Sequence, residues 1–176
     1  ALLPAPADGL TLEDEIAVNK ELLASGAPIS AMNAIRKHIS RIKGGRLAAL
    51  AYPAKVVSLI VSDIPGDIAS YVASGPTVPD INTRHDALRL IEQYGMTFPE
   101  AVMRHMHSDA CAAPHPSDPV FAWNETHIIA SAAVSLQAAA DEAKRRGVEA
   151  VILSDSIEGE AREVGRRHLA LELDAA

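Results

Sequence analysis

Three groups of residues have the types and spacing to handle a phosphorylated or acidic small molecule. The first is Lys43-Gly44-Gly45-Arg46, two cations around a glycine pair, where no Cβ blocks the approach of an anion. Asn33, Arg36, Lys37 and His38 lie just before it and complete a dense basic patch in an otherwise acidic chain. The second group is Ser62-Asp63-Ile64-Pro65-Gly66-Asp67 followed by Ala73-Ser74-Gly75-Pro76-Thr77. Its carboxylates can hold a magnesium ion through water or act as a base, and its hydroxyls and amides suit a phosphate or carboxylate. The third is Ser154-Asp155-Ser156-Ile157-Glu158-Gly159-Glu160, with Asp155 and Glu160 as second-rank candidates.

Other chemistries find less support. His105 and His107 sit at i,i+2 and point to opposite sides of a helix, so with Cys111 and His115 they make a poor metal set. There is no G-x-x-x-x-G-K-[ST] loop, no G-x-G-x-x-G after a strand and no G-x-S-x-G elbow. The net charge of −7 and a 3% aromatic content argue against a nucleic-acid surface. One cysteine cannot close an internal disulfide, which points to a reducing cytoplasm. No apolar run reaches the roughly 20 residues of a membrane span, and the first residues do not read as a signal peptide.

The elements that must position these groups are legible in part. Hydrophobic residues at 48%, charged residues at 22% and 32 alanines describe a globular chain of helices packed closely on a sheet. Thr11 with Glu13, Asp14 and Glu15 starts a helix that should reach about Ala24 and stop at Gly26 and Pro28. Ser30 is expected to cap the next helix, Thr83 with Asp86 a third, and Thr97 with Glu100 a fourth by a capping box. Residues 108–124 read as a long loop. Val56–Val61 reads as a strand covered on both faces, His127–Ala130 as a second and Ala150–Ser154 as a third. A helix capped by Ser131 lies between the last two strands, its stripe made of Ala133, Leu136, Ala140 and Ala143. Its outer face offers Asp141 with Arg145 and Glu142 with Arg146 at i,i+4 spacing. Strand, helix and strand predict a right-handed βαβ unit in an α/β fold, and in such sheets ligands bind beyond the carboxyl ends of the strands.

The segments Asn33–Ala48, Ser62–Asp67 with Ala73–Thr77, and Gly159–Val164 occur in an order and spacing that resemble the MOFRL-type glycerate 2-kinases. Members of that family are often labelled hydroxypyruvate reductase, after their place in tartrate and glycerate metabolism. The resemblance implies a Rossmann-like parallel sheet flanked by helices, incomplete here. On it, residues 1–176 are part of the larger N-terminal domain of a two-domain enzyme, with the C-terminal MOFRL domain absent. It implies transfer of the γ-phosphoryl of ATP, with magnesium, to D-glycerate. The expected roles are Lys43, Asp63 and Asp67 as catalytic groups, with Asp63 at the magnesium. Asn33, Arg36, Gly44, Gly45, Arg46, Ser74, Gly75 and Thr77 are expected at substrate and phosphate. On this reading the 176 residues alone are inactive, the location is cytoplasmic and a homodimer is the candidate assembly. The rival readings are an NAD(P)H-dependent hydroxypyruvate reductase and a non-catalytic truncated core that serves as an oligomerisation piece.

Overall fold

The computed structural model describes residues 3–157 and 159–166. In order, its elements are α1 (Leu12–Ala24), α2 (Ile29–His38), α3 (Arg46–Ala51), β1 (Val57–Val61), α4 (Arg84–Gln93), α5 (Glu100–Met106), β2 (Glu125–Ala130) and α6 (Ala132–Arg145), with short 3-10 turns between them. β1 and β2 form a two-stranded sheet. They run parallel: the Glu125 N–H donates to the Val56 carbonyl at one end, and the Ser62 N–H donates to the Ala130 carbonyl at the other. The fold is α/β.

The chain divides into two compact units, Ala1–Ile60 with Ala69–His127 and Val61–Ile68 with Ile128–Ala176. In the first, α1, α2, α4 and α5 each contribute an i,i+4 pair to a common core: Val18 and Leu22, Ala31 and Ile35, Ala87 and Ile91, Val102 and Met106. Ala27, Ile39, Met96, Phe98 and Cys111 complete it. Burial of a large aliphatic side chain of this kind is worth roughly 1.5–3 kcal/mol. The spacing that made the helices legible is therefore the spacing that holds them together.

Local signals decided some helix ends and not others. Thr11 with Asp14 and Thr83 with Asp86 form capping boxes, each Thr hydroxyl accepting from the N3 amide while the Asp carboxylate accepts from the Thr amide. Ser30 does not cap α2. Pro28, fixed in the extended region with φ −65° and ψ 156°, takes the N-cap position and puts Ser30 inside the first turn. Pro99 likewise displaces Thr97 at α5, and the Thr97 N–H donates instead to the Glu21 carboxylate of α1.

Three expectations about the sheet region are corrected. Residues 150–154 are not a strand, because no backbone ladder reaches them among the described residues; Val151, Ile152 and Leu153 are exposed. The parallel pairing joins β2 to β1 instead. β1 is not covered on both faces, since Val57, Leu59 and Val61 are open to solvent while Ser58 and Ile60 are half-buried. On α6 the Ser131 hydroxyl caps as expected, but the apolar stripe is largely uncovered, and Arg145 pairs with Glu142 rather than Asp141. Asp141 instead accepts from Gln137, and Glu142 also takes Arg146.

The core of the first unit also holds a histidine. His38 is 1% exposed, its Nδ1–H donates to the Cys111 carbonyl at 3.0 Å, and its Nε2 has no partner among the described residues. Burial first, then the Arg46 and Lys37 charges, push its pKa below the ordinary 6.5, against the opposing pull of the Cys111 carbonyl and Asp80. A histidine that resists protonation when folded makes the unfolded chain bind more protons, so stability falls as pH drops below 6.5. Glu15 works the other way, because burial raises its pKa. The His38 contribution is therefore read as a difference: His38→Asn, which keeps an N–H for the Cys111 carbonyl, should lose less melting temperature than the wild type between pH 7 and pH 5. Parallel acid profiles for the two proteins would refute the assignment.

Candidate functional site

In the first unit the KGGR segment and the SGPT segment are laced together. The Gly44 N–H donates to the Ser74 carbonyl at 3.0 Å, the Gly45 N–H to the Gly75 carbonyl at 2.8 Å, and the Leu47 N–H to the Pro76 carbonyl at 3.0 Å. Both glycines have φ in the left-handed region, at 60° and 80°. A Cβ on Gly45 would stand 2.7 Å from Phe121 Cζ, and one on Gly75 would stand 2.8 Å from the Ser70 backbone. The glycines thus admit neighbouring chain rather than a ligand.

The amides expected to meet an anion are consequently committed. Those of Gly44 and Gly45 are spent as described, and those of Ser74 and Gly75 donate to the carbonyls of Tyr71 and Val72. Ala73, Ser74 and Gly75 lie consecutively at positive φ. Ser74 is buried, and the Thr77 hydroxyl bonds the Ser58 hydroxyl at 2.6 Å. The backbone amides of this region are therefore closed to a ligand.

Arg46 serves the loop itself. Its Nη1 donates to the carbonyls of Lys37 (2.7 Å) and Lys43 (3.2 Å), and its Nη2 to that of Cys111 (2.6 Å). Lys37 and His38 do not belong to a surface patch. Lys37 is 0% exposed, its Nζ 2.9 Å from Asp80 Oδ2 and 5.2 Å from the centre of the Tyr71 ring. The α2 period turns both residues inward.

That leaves Arg36 and Lys43 as the half-buried cations of this unit's candidate site. Arg36 is fixed by the Asn19 amide oxygen at 2.7 Å and the Asn33 amide oxygen at 3.3 Å. Burial lowers the Lys43 pKa most, Glu15 raises it, and the Arg36 charge lowers it further. The Lys43 side chain makes no ion pair or hydrogen bond among the described residues, its carbonyl alone accepting from Arg46. Two neighbouring cations, with one buried carboxylate acting on Lys43, form a place where an added anion is favoured.

In the second unit Asp63 and Asp155 line one pocket of about 430 Å³, together with Ser62, Ser131 and Ser135. It lies at the carboxyl ends of β1 and β2 and at the N-terminus of α6, where the strand-end rule places ligands. Its donors are hard oxygens. Magnesium takes one or two protein carboxylates and fills its remaining positions with water and substrate phosphate, so the donor set fits that ion. Among the described residues no group of three metal-ligating side chains occurs, so a magnesium here would depend on the substrate for ligands. Asp67, at φ 52°, and Glu160 do not line the pocket. Of the serines, Ser62 opens the second candidate segment of the sequence and Ser131 was readable as a cap, whereas Ser135 carries no signal until the pocket is seen.

A family described as a domain of unknown function (DUF4147) matches residues 1–107. A protein of Agrobacterium vitis named "Putative hydroxypyruvate reductase" is 46% identical over all of this chain and 45% of its own length. The D-glycerate 2-kinase of Thermotoga maritima is 39% identical over 94% of this chain and 38% of its own. The Bos taurus glycerate kinase is 41% identical over 94% of this chain and 32% of its own. The crystal structure of a Thermotoga maritima glycerate kinase superposes with a TM-score of 0.79, at 39% identity, over 94% of this chain and 38% of that one. The chain thus spans less than half the length of these relatives. With more than half of its residues matched, it belongs to the DUF4147 family, the glycerate kinase family that its ordered motifs resemble.

Proposed function

We propose that the protein is an ATP-dependent D-glycerate 2-kinase and that these residues are part of its larger domain. One observation carries the reading: 39% identity to a D-glycerate 2-kinase extends over 94% of this chain, well beyond any single motif. On this reading Lys43 and Arg36 hold the carboxylate of glycerate by charge-assisted hydrogen bonds. Ser74 and Thr77 face the phosphate region with side chains only. Asp63, with Asp155 beside it, holds magnesium, which supplies positive charge against the phosphate oxygens. The glycerate hydroxyl oxygen bonds to the γ-phosphorus as the bond to the bridging oxygen of ADP breaks, and a carboxylate, Asp63 or Asp67, takes the hydroxyl proton. Phosphoryl transfer rests on positioning and charge, so 176 residues that carry part of the machinery are expected to be inactive alone. A cytoplasmic location, supported by a lone buried thiol, and a homodimeric assembly complete the proposal.

The reductase reading rests on the name of the relative at 46% identity. It predicts a dinucleotide site, yet β1 runs into Ser62-Asp63-Ile64-Pro65-Gly66-Asp67 and β2 into Ser131-Ala132-Ala133, neither a dinucleotide fingerprint. The whole protein incubated with D-glycerate, ATP and magnesium should yield 2-phosphoglycerate and ADP by mass spectrometry. A parallel sample with hydroxypyruvate and NADH should remain unreacted. Glycerate from the second sample, without phosphorylated product in the first, would replace the kinase with the reductase.

A further inference from the structure

Behind the Lys43 loop, and within the first unit, lies a small cavity of about 210 Å³ that no part of the proposed reaction uses. Its polar walls are Asp8, Ser40, Arg41, Arg46 and His105. His105 is more than nine-tenths buried, and its Nε2 lies 3.0 Å from the His38 carbonyl. A carbonyl only accepts, so Nε2 carries a proton, and in the tautomer with that proton alone Nδ1 is a bare acceptor. Nδ1 has no protein partner among the described residues and, unlike His38 Nε2, is not sealed from solvent.

Cations converge on the same space. Arg46 spends Nη1 and one Nη2 hydrogen on backbone carbonyls, leaving its Nε–H and the other Nη2 hydrogen without an acceptor among the described residues. Arg41 meets only Asp8, at 3.5 Å, and both side chains are more than half exposed. Such a pair is worth little, so Arg41 is available to a better anion. Ser40 is already used, donating to the Ala5 carbonyl and accepting from the Ile42 amide.

We propose that this cavity binds a phosphate-sized oxyanion that carries a proton: two arginines face its charged oxygens, and its O–H donates to His105 Nδ1. Hydrogenphosphate and a protonated phosphomonoester satisfy the pattern, whereas sulfate, fully ionised, presents a lone pair to a lone pair. Arg46 also holds the Lys43 carbonyl, so an anion here bears on the guanidinium that fixes the Lys43 loop. The proposal does not depend on the kinase reading.

The whole protein is titrated with inorganic phosphate by ³¹P NMR at constant ionic strength, with sulfate and methyl phosphate competing in separate arms. Saturable phosphate binding is expected, with sulfate about tenfold weaker. Arg41→Gln, at an exposed position that leaves the core intact, should weaken phosphate about tenfold. Lys43→Ala separates this cavity from the proposed substrate site and should leave phosphate binding in place. Methyl phosphate binding tighter than phosphate supports the site and identifies a phosphorylated metabolite as its ligand; the reverse order supports it with the free ion. The proposal is overturned by an absence of saturable binding, by equal binding of sulfate and phosphate, or by loss of binding in Lys43→Ala with none in Arg41→Gln.

Discussion

Lys37→Met should lower the melting temperature of the protein by about 6–20 °C. The figure follows from two magnitudes: leaving one partner of a buried ion pair unmatched costs about 3–5 kcal/mol, and each kcal/mol moves a domain of this size by about 2–4 °C. Lys37 and Asp80 qualify because neither side chain is more than 1% exposed. Their charges touch at 2.9 Å without an aligned hydrogen bond, so direct attraction and the face of Tyr71 carry the contact. The two losses should be unequal. Asp80 still accepts from the Asn82 backbone and side-chain amides and lines an open pocket of about 420 Å³, so without Lys37 it can hydrate. Lys37, 0% exposed, does not line that pocket. Asp80→Leu should therefore cost more than Lys37→Met, and the double variant Lys37→Met/Asp80→Leu should recover most of either loss, because apolar replacement of a whole buried pair is often neutral. Single variants within about 1 kcal/mol of wild type would mean that the pair is solvated.

The same lysine shows what the sequence could and could not convey. Lys37 sits between Arg36 and His38 in a run that reads as a solvated cationic patch, and its partner is 43 residues away, beyond any local pattern. The capping boxes at Thr11 and Thr83 were legible because donor and acceptor lie within one turn. Ser30 and Thr97 failed because a nearby proline set the entry to each helix. The run at 150–154 has strand composition, but a strand exists only where a neighbour supplies its ladder, and composition does not name the neighbour. The glycines of Lys43-Gly44-Gly45-Arg46 were readable as places of close approach; that the approaching group is the backbone at 74–76 depends on contacts thirty residues apart. Asp63 and Asp155 meeting in one pocket was more accessible, since strand ends feeding a helix N-terminus are a general location for ligands. Asp67 and Glu160, chosen on the same ground, are near in sequence but do not line that pocket.

Lys43→Ala and Asp63→Asn should each reduce kcat/KM for D-glycerate in the whole enzyme by at least tenfold, with folding unchanged by circular dichroism. Loss of one preorganised charged or hydrogen-bonding group at a reacting centre commonly costs about 10²–10³ in kcat. Neither substitution disturbs the fold's own contacts, since Lys43 makes no side-chain bond among the described residues and Asp63 is exposed. How each loss divides between kcat and KM separates their roles. If Lys43 grips the carboxylate of glycerate equally in ground and transition states, Lys43→Ala raises KM for glycerate and leaves kcat nearly intact; if it faces the phosphoryl group in flight, kcat falls and KM holds. Arg36→Gln supplies the internal check. Removing that charge lifts one of the causes that lower the Lys43 pKa, so the pH at which activity is lost on the alkaline side should move upward if Lys43 acts as a cation. Asp63→Asn keeps size and removes charge, so its loss should fall on kcat and on the magnesium concentration needed for half-maximal rate, whereas Asp67→Asn should show only the kcat loss if Asp67 is the base. Unchanged kinetics in both Lys43→Ala and Asp63→Asn would take these two loops out of the mechanism, and the phosphoryl-transfer assignment of their residues would have to be abandoned even if the enzyme proves to be a glycerate kinase.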